Sequence, residues 1–104
     1  MIRRILLTAI PLLAIAATAL ADDVRGKVVH PDGRTGYANV AVAVENAEGR
    51  RSAKVYTGPD GMYQLEDLPA GQYTLEIASP RETRRLRIVV TSQPYTDIAP
   101  VAVQ

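Results

Sequence analysis

The sequence predicts an all-β domain, an antiparallel sandwich of short strands, on three observations. Apolar and polar residues alternate with period two in one segment after another, most plainly Tyr73, Leu75 and Ile77 against Gln72, Thr74 and Glu76. Turn signals built from proline, aspartate and glycine separate these segments at intervals of about ten residues. After the first 21 residues, no window carries the period-3.6 apolar stripe of an amphipathic helix.

Those first residues read as a targeting segment. Met1-Ile2-Arg3-Arg4 is a short basic stretch, and Ile5 to Ala17 is apolar apart from Thr8. Ala19-Leu20-Ala21 then places small residues at the −3 and −1 positions of a cleavage site, ahead of Asp22-Asp23. Residues 1–21 are expected to be a cleaved signal peptide. The apolar run is short for a bilayer crossing of about 20 residues, so no integral membrane span is expected after processing. Residues 22–104 are expected to form one periplasmic or secreted domain. Losing Arg3 and Arg4 leaves ten basic and eleven acidic residues, a net charge of −1 in place of +1. Such a balance speaks against nucleic acid, whose binding needs many phosphate contacts. With no cysteine, the domain has no disulfide staple and rests on its core alone.

In the first strand Val24, Gly26 and Val28 share one face, with Arg25, Lys27 and Val29 on the other. Gly26 within it signals a bulge or a close backbone approach, and Pro31-Asp32-Gly33 closes it as a turn. Val40, Val42 and Val44 alternate with Ala41 and Ala43, so the second strand is apolar on both faces. The third strand is expected over Arg51–Thr57, with Ala53, Val55 and Thr57 inward. Residues 62–65 and 72–77 form the fourth and fifth, flanked by Pro59-Asp60-Gly61 and by Leu68-Pro69, a corner with one apolar side chain still pointing inward. Leu86, Ile88 and Val90 alternate with Arg85, Arg87 and Val89 in the sixth. Ile98 to Val103, interrupted by Pro100, is expected as a seventh strand at an edge. This parity gives an expected core of Val28, Val42, Tyr63, Leu65, Tyr73, Leu75, Ile77 and Ile88.

A family is visible in these residues. V-x-G-x-V (Val24 to Val28), P-D-G (Pro31 to Gly33), A-N-V-x-V (Ala38 to Val42), T-x-x-D-G-x-Y-x-L (Thr57 to Leu65) and L-P-x-G-x-Y-x-L-x-I (Leu68 to Ile77) follow one another over residues 24–90. The succession resembles the carboxypeptidase regulatory-like domains, which are transthyretin-like, prealbumin-type sandwiches similar also to Cna-B-type modules. The resemblance implies a seven-stranded antiparallel Greek-key β-sandwich. Two family chemistries find no match. The last strand has no asparagine for a Lys–Asn isopeptide bond. Transthyretin-like hydroxyisourate hydrolases use histidines, an arginine and a Y-R-G-S tail, whereas this chain has one histidine and ends Val101-Ala102-Val103-Gln104.

The remaining chemistry-bearing residues do not assemble into a site by spacing. His30 abuts a turn, the acidic pairs lack a D-x-D-x-D-G calcium loop, and no serine lies in a G-x-S-x-G context. No catalytic residue, metal or cofactor is therefore expected, and the protein reads as a non-enzymatic binding or accessory module at the cell envelope. The alternative is a small transthyretin-like hydrolase with an unrecognised site. Two surfaces are candidate partner sites. Arg81, Arg84, Arg85 and Arg87 fall within seven residues, and their guanidinium groups suit an acidic surface. Ala41 and Ala43 offer small side chains that allow close approach of another envelope or extracellular protein.

Overall fold

The computed structural model describes residues 22–104, so the signal-peptide expectation for residues 1–21 lies outside the described residues. Eight strands form two sheets: β1 (Asp22–Val29), β2 (Ala41–Asn46), β3 (Val55–Tyr56), β4 (Met62–Leu68), β5 (Gly71–Ala78), β6 (Thr83–Val90), β7 (Tyr95–Asp97) and β8 (Val101–Ala102). One sheet has the order β4-β1-β7, with β8 also paired to β1; the other has the order β3-β2-β5-β6. The chain is thus a β-sandwich, as predicted. Counting β7 and β8 as one strand gives seven, but it begins at Tyr95, ahead of the expected Ile98–Val103, and is broken at Ile98–Pro100.

Alternation fills the space between the sheets. Val24 and Val28 of β1, Val42 and Val44 of β2, Tyr63 and Leu65 of β4, Leu75 and Ile77 of β5 and Ile88 and Val90 of β6 form one buried cluster with Val40, Leu68 and Val103. Tyr73 packs against it half-buried. Leu68 is the inward side chain expected at the Leu68-Pro69 corner. β4 nevertheless runs on to it, because the register with β1 shifts between Asp22↔Leu68 and Val24↔Leu65. This bulge contains Asp67 at φ +58°, and the Asp67 amide donates to Asp23 Oδ1 at 3.1 Å.

Three local expectations change. The third strand shrinks to two residues because Ser52 diverts the ladder. Its hydroxyl accepts the Val44 amide at 3.0 Å while its own amide donates to Val44 O at 2.8 Å, and Ala53 is left exposed. The final strand pairs parallel to β1, Asp23↔Tyr95 to Arg25↔Asp97 and Val28↔Val101 to Val29↔Ala102. The connection after β6 crosses between sheets and delivers Pro94 to the start of β1, where Pro94 O accepts the Asp23 amide, so both strands run the same way. The signal at Gly26 marks close approach of a side chain, since a Cβ there would collide with the Tyr63 ring.

That packing leaves the Tyr63 hydroxyl buried without a hydrogen-bond partner among the described residues. Burial pushes the phenol from 10.0 up to about 12. The folded state thus holds this proton after the unfolded chain has released it. The stability is fully present below pH 10 and declines as pH rises toward 12, by about 2–3 kcal/mol at 1.36 kcal/mol per unit. Tyr63→Phe is expected to abolish that alkaline loss. It should also raise stability near neutral pH by about 1 kcal/mol, since a desolvated orphan hydroxyl is removed. Urea titrations of both proteins from pH 7 to 11.5 check this.

Candidate functional site

The outer face of the β3-β2-β5-β6 sheet carries Arg85 and Arg87 of the predicted arginines, while Arg84, opposite the buried Ile77, has the other parity, and the β5–β6 register decides what each one does. The hairpin pairs Ala78 with Thr83, which sets Glu76 opposite Arg85 and Thr74 opposite Arg87. Arg85 bonds Glu76 at 3.3 Å and reaches Glu45 at 4.0 Å. Arg51, arriving just before β3, also bonds Glu76 and lies 3.9 Å from Glu45. Glu76 is therefore the hub of the face. The Arg51 hydrogen bond first, then Arg85, holds its carboxyl below the usual range against the opposing effect of burial.

The four predicted arginines do not act as one row. Arg84 bonds Glu82 at 3.0 Å. Glu82 also accepts the Gln104 amide at 2.9 Å, tying the chain's end to the β5–β6 turn, and this backbone donor is the main reason its carboxyl lies low. Arg81 sits exposed in that turn. Arg87 is exposed and has no carboxylate within ion-pair reach among the described residues. It borders an open groove of about 530 Å³ lined by Glu45, Asn46, Gln72, Tyr73, Thr74 and Val89, with Glu45 beyond ion-pair distance across Thr74. Of the four, Arg81 in the turn and Arg87 on β6 make no ion pair among the described residues, and only Arg87 stands on a strand beside the groove.

Ala41 and Ala43 lie on the same sheet face. Ala43 is 3% exposed opposite Glu76, and Ala41 is half-buried. They belong to a shallow recess that Arg51, Lys54 and Glu76 also line, so polar side chains border the alanines. Sequence reasoning did not single out Arg51 or Glu76. The outward parity of Glu76 was legible, but its partners depend on which residues the two neighbouring strands place opposite it.

Elsewhere, His30 stacks on Tyr37 with ring centroids 3.9 Å apart, and Asp32 closes its turn by accepting the Thr35 hydroxyl and the Arg34 and Thr35 amides. These bonds, the hydroxyl foremost, hold Asp32 at about 2. Asp22 is buried and accepts the Thr96 hydroxyl at 2.5 Å. Among the described residues, no group of three or more His, Cys, Asp or Glu is placed to hold a metal ion. Nor is any helix among them long and apolar enough to cross a membrane.

Comparison with known proteins agrees with this architecture. The family model of the carboxypeptidase regulatory-like domain matches residues 23–102. Colossin-A of Dictyostelium discoideum is 30% identical over 88 residues, which are 84% of this chain but 1% of colossin-A. The chain thus spans about a hundredth of that relative's length. Among solved structures, the Bacillus anthracis TIE protein superposes with a TM-score of 0.67 at 19% identity, over 80% of this chain and 17% of its own. The major pilin subunit of Bacillus cereus gives 0.61 at 6% identity, over 79% of this chain and 29% of its own. The 5-hydroxyisourate hydrolase of Klebsiella pneumoniae gives 0.60 at 18% identity, over 78% of this chain and 84% of its own. At these identities the structural likenesses establish the fold.

Proposed function

The chain belongs to the carboxypeptidase regulatory-like domain family, and on that premise we propose that it is an exported, non-enzymatic accessory module of the cell envelope. The observation that carries this reading is the outer β5–β6 face. On β5 and β6 the outward charges Glu76 and Arg85 are paired, whereas Arg87 stands exposed and unpaired beside an open groove. Such a surface suits recognition of an acidic partner by a cation, whereas chemistry needs convergent polar groups in an enclosed cleft. The pilin subunit among the structural neighbours supports use of this sandwich as an assembly module. The signal-like segment Met1–Ala21 supports export.

Export is tested by producing all 104 residues in a bacterial host, separating periplasm, medium and membranes, and weighing the intact product. The expected species starts at Asp22 and leaves the cytoplasm. A species still carrying Arg3 and Arg4 and held in the membrane fraction would replace the free module with an anchored one.

A further inference from the structure

We propose that the outer edge of β6 accepts an extended segment of a partner protein, alternating acidic and apolar residues, as an added strand. This rests on reading the β5–β6 face as a partner surface and specifies how the partner binds it.

The four sheet edges differ sharply. β3 is two residues long, β4 is bulged at Glu66–Asp67 beside its own acidic residues, and β7–β8 is broken at Ile98–Pro100. β6 alone among the described edges is long and regular. Its eight residues pair in unbroken register with β5, without proline or bulge, and no backbone group on its other side is paired among the described residues. Such an edge is a template for another strand unless something blocks it.

Behind the edge the sandwich is open. A slit of about 470 Å³ separates β6 from β7–β8, lined by Leu86, Ile88, Ile98, Pro100 and Val101, with the outward residues Arg87 and Val89, the latter 58% exposed, at its rim. Asp97, also on the rim, is held by Arg25 at 3.0 Å. A strand laid on β6 would alternate between this slit and the outer face, where Arg85 and Arg87 project. One set of its side chains should therefore be apolar and the other acidic.

Charge also selects the occupant. β6 carries Arg84, Arg85 and Arg87 and no acid. A second copy would set its own β6 arginines against these, with Arg87 of each copy lacking a carboxylate, and like charges opposite one another are destabilising. An acidic strand instead meets Arg87, whose charge is uncommitted.

The test uses labelled eight-residue peptides titrated into the purified protein: Glu and Val alternating, Lys and Val alternating, and the Glu-Val peptide N-methylated at every second amide. The Glu-Val peptide is expected to bind, to weaken with salt and to slow amide exchange along residues 84–89. N-methylation on the ladder-facing amides should remove binding. Arg87→Glu should weaken the Glu-Val peptide by about tenfold or more and admit the Lys-Val peptide. Arg81→Glu, the same charge change in the turn, should leave affinity within about twofold.

Binding that falls with Arg87→Glu yet ignores N-methylation would overturn strand addition while leaving an acid-binding surface. Equal binding of the Glu-Val and Lys-Val peptides, or no slowing of exchange along β6 at saturation, would overturn it too. So would a dimer in sedimentation whose β6 amides are protected and which Arg87→Glu does not dissociate. None of these outcomes bears on export, which the intact mass reads separately.

Discussion

Leu75→Ala is expected to lower the melting temperature by on the order of 10–30 °C, from a loss of about 2–5 kcal/mol. Leu75 is fully buried at the centre of β5, the strand flanked by β2 and β6, opposite Val44 on one side and Leu86 on the other. With both neighbours fixed by ladders, the surroundings cannot collapse into the cavity, and the cost should sit high in that range. At about 0.05–0.15 kcal/mol per residue, the 83 residues from Asp22 to Gln104 give a total near 4–12 kcal/mol. The substitution therefore removes a large fraction of the whole.

Glu76→Ala, one residue on, is the control. It breaks the bonds to Arg51 and Arg85 on the solvent face, where exposed ion pairs are each worth about 0–1 kcal/mol. Its effect should also follow pH. The Glu76 carboxyl lies below its ordinary value in the folded protein. Its contribution is thus present above the unfolded carboxylate range and fades as pH falls through the folded value. Melting curves at pH 7 and pH 3 separate the two substitutions. Leu75→Ala should cost the same at both, and Glu76→Ala should cost less at pH 3.

Gly61→Ala is expected to cost about 2–5 kcal/mol. Gly61 sits at φ +82°, where an L side chain costs about 1–2 kcal/mol. A Cβ there would also press on Val28 O, the Tyr37 amide and Gly36 Cα, all backbone atoms without a rotamer by which to retreat. Overpacking of this kind adds about 1–3 kcal/mol. The site is a crossing of two loops. Gly61 O accepts the Val28 amide at 2.9 Å, and Val28 O accepts the Tyr37 amide at 2.9 Å. Displacing Gly61 should therefore speed hydrogen exchange at Val28 and Tyr37 as well as lower the melting temperature. Gly33 provides the comparison, with φ +78° and no atom within 4 Å of the point a Cβ would occupy. Gly33→Ala should cost only the conformational share, about 1–2 kcal/mol. Equal losses at the two glycines would mean that backbone conformation, and not the crossing, sets the value of Gly61.

The sequence by itself determined the class of fold and the inward set. Val28, Val42, Tyr63, Leu65, Leu75, Ile77 and Ile88 are buried where alternation put them, and Leu68 points in from its corner before Pro69. A strand's side chains alternate because of its own backbone geometry, so this information is local and survives without knowing any neighbour. The motif succession from Val24 to Ile77 was legible for the same reason, since its turns are written in adjacent residues.

What faces what was decided by the tertiary structure. Arg85 and Arg87 are equivalent in the sequence, both outward and two residues apart. Only the pairing Ala78↔Thr83 at the hairpin puts an acid opposite the first and a threonine opposite the second. Arg51 reaches Glu76 from the far side of β2, and β7–β8 finds β1 in parallel after crossing from one sheet to the other. Each of these depends on register or on layer, set by hairpin length and by how two sheets close over one core. Two arginines that read alike in the chain are separated by one carboxylate across a strand, and that difference leaves Arg87 as the free arginine of β6.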